Sequence, residues 1–122
     1  MGLPANDDQI LLLHNPKCSK SRATLALLEE SGASFETRLY LQDPLDASEL
    51  RDLGQRLGKA VVDYTRTKQA EFAEAGLSKD SEDDTILEAM AKTPILMERP
   101  VVVRGARAAI GRPPEDVLAL LG

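Results

Sequence analysis

The spacing of apolar positions changes several times along the chain, and each change marks an expected element. Ile10–Leu13 is an unbroken apolar run closed by Asn15-Pro16, the pattern of a short buried strand. From Ser19 to Ser31 the apolar residues Ala23, Leu25, Ala26, Leu27 and Leu28 recur at helical spacing, and Gly32 supplies a stop. Phe35–Leu41 then alternates as a strand. A strand, a helix and a second strand in this order predict a right-handed crossover with the two strands parallel. The stretch from Asp46 to Lys92 is Leu- and Ala-rich and reads as mostly helical, with breaks near Gly58, Gly76 and Ser81. Within it SKDSEDD is a charged loop entering a helix, because acidic side chains suit a first turn. Two further short runs follow, Val101–Val103 and Ala106–Ile110, with Arg104-Gly105 between them as a hairpin signal. Arg112-Pro113-Pro114-Glu115 then opens a last helix, where proline is tolerated.

The order β-α-β, helical block, β-β-α predicts an α/β fold with a small mixed sheet flanked by helices. With 122 residues and no internal repeat, one domain over residues 1–122 is expected, carrying a helical insertion at about 46–92. In sheets of this kind, sites form where a strand's carboxyl end turns into a helix. Cys18 lies at such a turn.

Composition narrows the function. Apolar residues make up 43% and charged residues 29%, which is ordinary for a globular protein, but aromatics are only 3%. Little to stack on bases and a formal net charge of −5 argue against nucleic acid as a partner, and none is expected. The opening MGLPANDDQI has neither the basic nor the apolar stretch of an export signal, and no apolar run is long enough for a bilayer. The single cysteine rules out an internal disulfide and a Cys-rich metal site. A free thiol without an export signal predicts a cytoplasmic location.

Against this acidic background, HNPKCSKSR at 14–22 gathers the only cysteine, the only histidine and three basic side chains into nine positions. A thiolate is the nucleophilic form of cysteine, and a free thiol with a pKa of about 8.5 is only slightly ionised at neutral pH. A helix N-terminus, the cations Lys17, Lys20 and Arg22, a contribution from His14, and a hydrogen bond from Ser21 to the sulfur or the first helical turn would all favour the charged form. Two known thiol chemistries do not fit. Phosphate-loop phosphatases need Arg after five intervening residues, where this chain has Thr24, and a C-x-x-C pair is missing because Ser21 stands in the second place. Any disulfide formed in turnover therefore needs an outside thiol.

HNPKCSKSR resembles the signature H-N-P-x-C-[GS]-x-S-R of the glutaredoxin-coupled arsenate reductase family, whose members have a thioredoxin-like fold. TLALLEESG, LYLQDP, YTRTKQAEFAEAGL, PILMERPVVV and IGRPPEDVLALL are similar to later parts of that family and occur in the same order over about residues 9–121. The resemblance implies that Cys18 is the nucleophile, that His14 lowers its pKa, and that Ser21 belongs to the same catalytic group. It also implies that Arg66, Arg99 and Arg112 hold an oxyanion, with Asn15 and Pro100 as structural residues of the site. Arginine forks suit such an anion because they bind it bidentately. By the same analogy the Arg99-Pro100 peptide is expected to be cis.

What the resemblance implies for turnover is reduction of arsenate, or a similar oxyanion, to arsenite through a Cys18–glutathione mixed disulfide that glutaredoxin resolves. No bound cofactor and no metal are expected, glutathione is the external reductant, and the chain is expected to act as a monomer away from membranes. Cys-Ser-Lys-Ser-Arg replaces the Cys-Gly-Thr-Ser-Arg of the well-established branch, so another glutathione-linked thiol activity stays open. So does a regulatory binding role like that of the Spx-like branch, although those sensors usually carry C-x-x-C.

Overall fold

The computed structural model describes residues 2–121. The chain divides into two compact units, one running to Asp43 and resuming at Arg99, the other spanning Pro44–Glu98.

The first unit holds the sheet. Strands β1 (Ile10–Leu13), β2 (Glu36–Arg38), β3 (Val101–Arg104) and β4 (Arg107–Ile110) lie in the order β2-β1-β3-β4. β1 pairs in parallel with β2 and antiparallel with β3, and β3 pairs antiparallel with β4, so the sheet is mixed as expected. Leu12, Val102 and Ala109 stand opposite one another across three strands. Leu12 and Val102 anchor a core with Ile10, Leu28, Val117 and Leu120. Leu11, Leu13, Val101 and Val103, on alternate positions, are buried as well. A strand buried on both faces has no reason to alternate, which accounts for the unbroken apolar run. Leu12 is 0% exposed, and Leu12→Ala is expected to cost about 2–5 kcal/mol of stability, read as a lower denaturant midpoint with an unchanged slope.

Helix α1 (Ser19–Glu30) connects β1 to β2. β2 is shorter than the expected Phe35–Leu41. The amides of Gln42 and Asp43 both donate to the Leu39 carbonyl, at 2.9 and 2.8 Å, and the buried Arg38 Nε donates to the Asp43 carbonyl at 2.9 Å. This turn takes the chain out of the sheet after Arg38. The β3–β4 hairpin turns on Gly105-Ala106, one residue later than expected, because Arg104 pairs with Arg107. Gly105 has a φ of 55° at the first central position, the Gly-first pattern of a type II′ turn. The closing segment, Pro114–Leu120, is a 3-10 helix rather than an α-helix. Its tighter winding aligns positions three apart, which puts Val117 and Leu120 together on the core.

The second unit holds the expected helical block as α2 (Ala47–Leu57), a 3-10 turn at Val61–Tyr64, α3 (Ala70–Glu74), α4 (Asp83–Lys92) and a 3-10 turn at Pro94–Leu96. Asp46 and Glu49 form a capping box at the start of α2, with Asp46 Oδ1 accepting from the Glu49 amide at 2.8 Å. α2 packs against α4, and an Arg51–Asp84 ion pair joins them. Tyr64 is buried and donates its hydroxyl to the Leu50 carbonyl at 3.0 Å. No helix among the described residues is long and apolar enough to cross a membrane.

Candidate active site

The loop from β1 to α1 is built almost wholly from local hydrogen bonds. The His14 amide makes the last rung to β2, donating to the Arg38 carbonyl at 3.0 Å. Asn15 then organises the turn: its side-chain oxygen accepts from the Lys17 amide at 3.1 Å, and its carbonyl accepts from the Cys18 amide at 3.0 Å. Cys18 takes the N-cap position of α1 in extended conformation, and its carbonyl receives the first helical hydrogen bond from Arg22 at 3.0 Å. The Arg22 guanidinium reaches back to the Pro16 carbonyl at 2.8 Å and closes the loop.

Ser21 is fully buried beneath this turn. Its hydroxyl hydrogen-bonds His14 Nδ1 at 2.7 Å and accepts from the Asn15 amide at 2.9 Å. The hydroxyl therefore ties the histidine to the loop; it is the Ser21 backbone amide that acts on the sulfur. His14 is buried, and burial together with the nearby Arg22 guanidinium holds its pKa below the usual histidine value. Both effects disfavour its charged form, so the cationic contribution expected from the sequence is weakened.

Cys18 is half-buried, and burial alone would push its thiol pKa up. That effect is outweighed by the backbone amides of Ser21 and Lys20 and by the guanidinium groups of Arg99 and Arg112, so the pKa falls below that of a free thiol. These amides are N–H groups of the first turn of α1, which have no partner within the helix and favour negative charge at its N-terminus. The cations acting on the sulfur thus come from a distant part of the chain. Lys17 and Lys20 point to solvent, and the Arg22 guanidinium is held at the Pro16 carbonyl. Alkylation of Cys18 is expected to stay fast at pH values where a free thiol has slowed, and a rate profile with the midpoint of an ordinary thiol would contradict the geometry.

Arg99 and Arg112 each precede a proline, and both peptides, Arg99-Pro100 and Arg112-Pro113, are cis. The first was expected; the second was not singled out. The two segments are joined by two hydrogen bonds: Gly111 N–H to the Pro100 carbonyl at 2.9 Å, and Arg112 Nε–H to the Arg99 carbonyl at 2.8 Å. Pro100 is buried between β3 and this junction. Cys18, Arg99 and Arg112 therefore belong to one site in the first unit, with His14, Asn15, Ser21 and Pro100 supporting it.

The profile of the ArsC family matches residues 13–120, nearly the whole chain. The chain belongs to the ArsC family. Among its relatives, an uncharacterised protein of Escherichia coli K12 is 46% identical over 116 residues, covering 93% of this chain and 98% of its own. An arsenate reductase of Neisseria meningitidis is 45% identical over 115 residues, covering 93% and 98%. The structure of an arsenate reductase from Vibrio cholerae superposes with a TM-score of 0.88 at 42% identity, covering 96% of this chain and 99% of that one. The fold is thus the thioredoxin-like fold of ArsC structures.

Arg66, the third arginine expected from the sequence, lies in the second unit of this ArsC chain. It is half-buried, its amide donates to the Leu96 carbonyl at 2.7 Å and its guanidinium to the Ile95 carbonyl at 3.2 Å. It lines a shallow hollow with Thr65, Thr67, Lys68, Gln69 and Glu98.

Proposed function

We propose that this ArsC protein reduces arsenate to arsenite, with Cys18 as nucleophile and glutathione and glutaredoxin as the reductants. The observation that carries the reading is the convergence of two guanidinium groups and a helix N-terminus on one thiol. Fixed cations beside an anionic nucleophile let a second anion approach it, and arginine forks suit a tetrahedral oxyanion. The arsenate reductase of Neisseria meningitidis is similar to this chain over 98% of its own length. The resemblance of YTRTK to the family assigns Arg66 as a third anion-binding arginine.

In the proposed reaction the Cys18 thiolate attacks arsenic(V), an S–As bond forms, and one arsenate oxygen leaves as water after protonation. The glutathione thiolate then attacks the Cys18 sulfur. The S–As bond breaks with its electron pair going to arsenic, which leaves as arsenite, and Cys18 is left joined to glutathione. Two thiols have been oxidised to one disulfide and arsenic reduced by two electrons, so the balance closes. Glutaredoxin then takes the glutathione and returns the Cys18 thiol. The single cysteine makes this outside resolution obligatory. The cytoplasm, rich in glutathione, is the compartment in which such a cycle runs.

The test is intact-protein mass after a single turnover with arsenate and glutathione, without glutaredoxin. Arsenate-dependent accumulation of one glutathione on Cys18, with about one equivalent of arsenite released, supports the reading. An intact, reactive Cys18 with no adduct and no arsenite overturns it. An adduct that forms equally without arsenate points to a different thiol substrate.

A further inference from the structure

Gly111 lies between the two anion-binding arginines and the helix that carries the nucleophile, and nothing in its backbone requires glycine through a positive φ. What requires it is space. A Cβ at this position would stand 2.6 Å from Thr24 Oγ1 and 2.8 Å from Pro100 Cγ, both closer than folded proteins allow. Thr24 is fully buried on α1, and its hydroxyl donates to the Lys20 carbonyl at 2.9 Å, so swinging it aside costs that hydrogen bond. On its other side, the Gly111 amide holds the Pro100 carbonyl, and the next residue, Arg112, holds the Arg99 carbonyl. Gly111 is therefore a point of close approach between α1, whose N-cap is Cys18, and the joined Arg99-Pro100 and Arg112-Pro113 segments.

We propose that Gly111 is a positioning residue, whose missing side chain sets the separation between Cys18 and the Arg99–Arg112 pair. A Cβ forces Thr24 to give up its hydrogen bond to Lys20, pushes α1 away from the Pro100 segment, or breaks the Gly111–Pro100 hydrogen bond that aligns the two arginines. A close-packed interior transmits such a displacement instead of absorbing it. Because charge–charge interaction falls with distance, the thiol loses arginine stabilisation, and the oxyanion loses the spacing that lets nucleophile and guanidinium groups act on it together. The second consequence rests on the proposed arsenate reduction; the first does not.

The test is Gly111→Ala alone and together with Thr24→Ala, which removes the nearer of the two obstructing atoms. Two quantities are read: the pKa of Cys18 from its alkylation rate against pH, and kcat/KM for arsenate. The single variant is expected to raise the thiol pKa and lower kcat/KM by about ten- to a hundredfold. The double variant is expected to recover part of both losses, and not all, because the Pro100 contact remains. A merely structural role would lower the melting temperature and leave the pKa where it was. Should Gly111→Ala not fold, Thr24→Ile presses on the same contact from the helix side and is read in the same two ways. A folded Gly111→Ala with unchanged thiol pKa, or a double variant whose losses simply add, overturns the proposal. A shifted pKa in a protein whose wild-type form does not reduce arsenate would support Gly111 as a positioning residue while overturning the proposed substrate.

Discussion

Replacing Cys18 by serine is expected to abolish arsenate reduction, with a loss of at least about 10⁴-fold in kcat and no detectable arsenite above the uncatalysed rate. The size of the effect follows from two separate roles of the sulfur. As a nucleophile the serine hydroxyl would have to lose a proton that helix dipoles and two arginines cannot remove at neutral pH. As a redox group it cannot form the mixed disulfide on which release of arsenite depends, and the chain holds no second cysteine to take its place. The fold should survive, because serine is a favoured N-cap residue and Cys18 occupies the N-cap of α1. An unchanged melting temperature alongside lost arsenite production is the expected pair of results. Residual turnover in the serine variant would contradict the role of the thiol.

Removing the arginines is expected to have the next largest effect. Hydrogen bonds to a charged group contribute about 1.5–3 kcal/mol each, so Arg99→Ala and Arg112→Ala should each lower kcat/KM for arsenate by about ten- to a hundredfold. Both should also raise the Cys18 pKa, since both guanidinium groups lower it. The effects are not expected to add, because Arg112 Nε supports the Arg99 carbonyl and its loss loosens the second arginine as well. Arg112→Lys provides a sharper measure. It keeps the positive charge but loses both the planar fork and the Nε hydrogen bond. Its thiol pKa should remain closer to that of the parent than the alanine variant's does, while kcat/KM still falls. Equal activity in Arg112→Lys and the parent would contradict a bidentate role.

The elements whose signals are local were the legible ones. The Ile10–Leu13 run, the Asn-Pro break and the start of α1 at Ser19 follow from adjacent residues and stand where expected. The end of β2 was not legible, because it depends on the buried Arg38 side chain reaching the Asp43 carbonyl, a contact that apolar periodicity does not encode. The site divides in the same way. That Cys18 would be an activated thiol could be read from its place at a strand-to-helix turn. The source of the activation could not: Lys17, Lys20 and Arg22 are its neighbours in the chain, yet the guanidinium groups acting on it are those of Arg99 and Arg112, brought there by the β3–β4 hairpin. His14 reads in sequence as a further cation, but its burial and the Arg22 guanidinium beside it, neither visible in the sequence, disfavour its charged form. Resemblance to the ArsC family bridged part of that gap by marking the distant arginines. Gly111 escaped notice because a glycine needed for close approach leaves no pattern in sequence.

The measurement that tests the central claim most directly is NADPH oxidation on adding arsenate to the protein with glutathione, glutathione reductase and glutaredoxin. Oxidation that needs arsenate, glutathione and glutaredoxin together, and that disappears in Cys18→Ser, is the expected result. No arsenate-dependent oxidation by a folded protein whose Cys18 alkylates with a lowered pKa would contradict arsenate reduction and leave the activated thiol in search of another substrate.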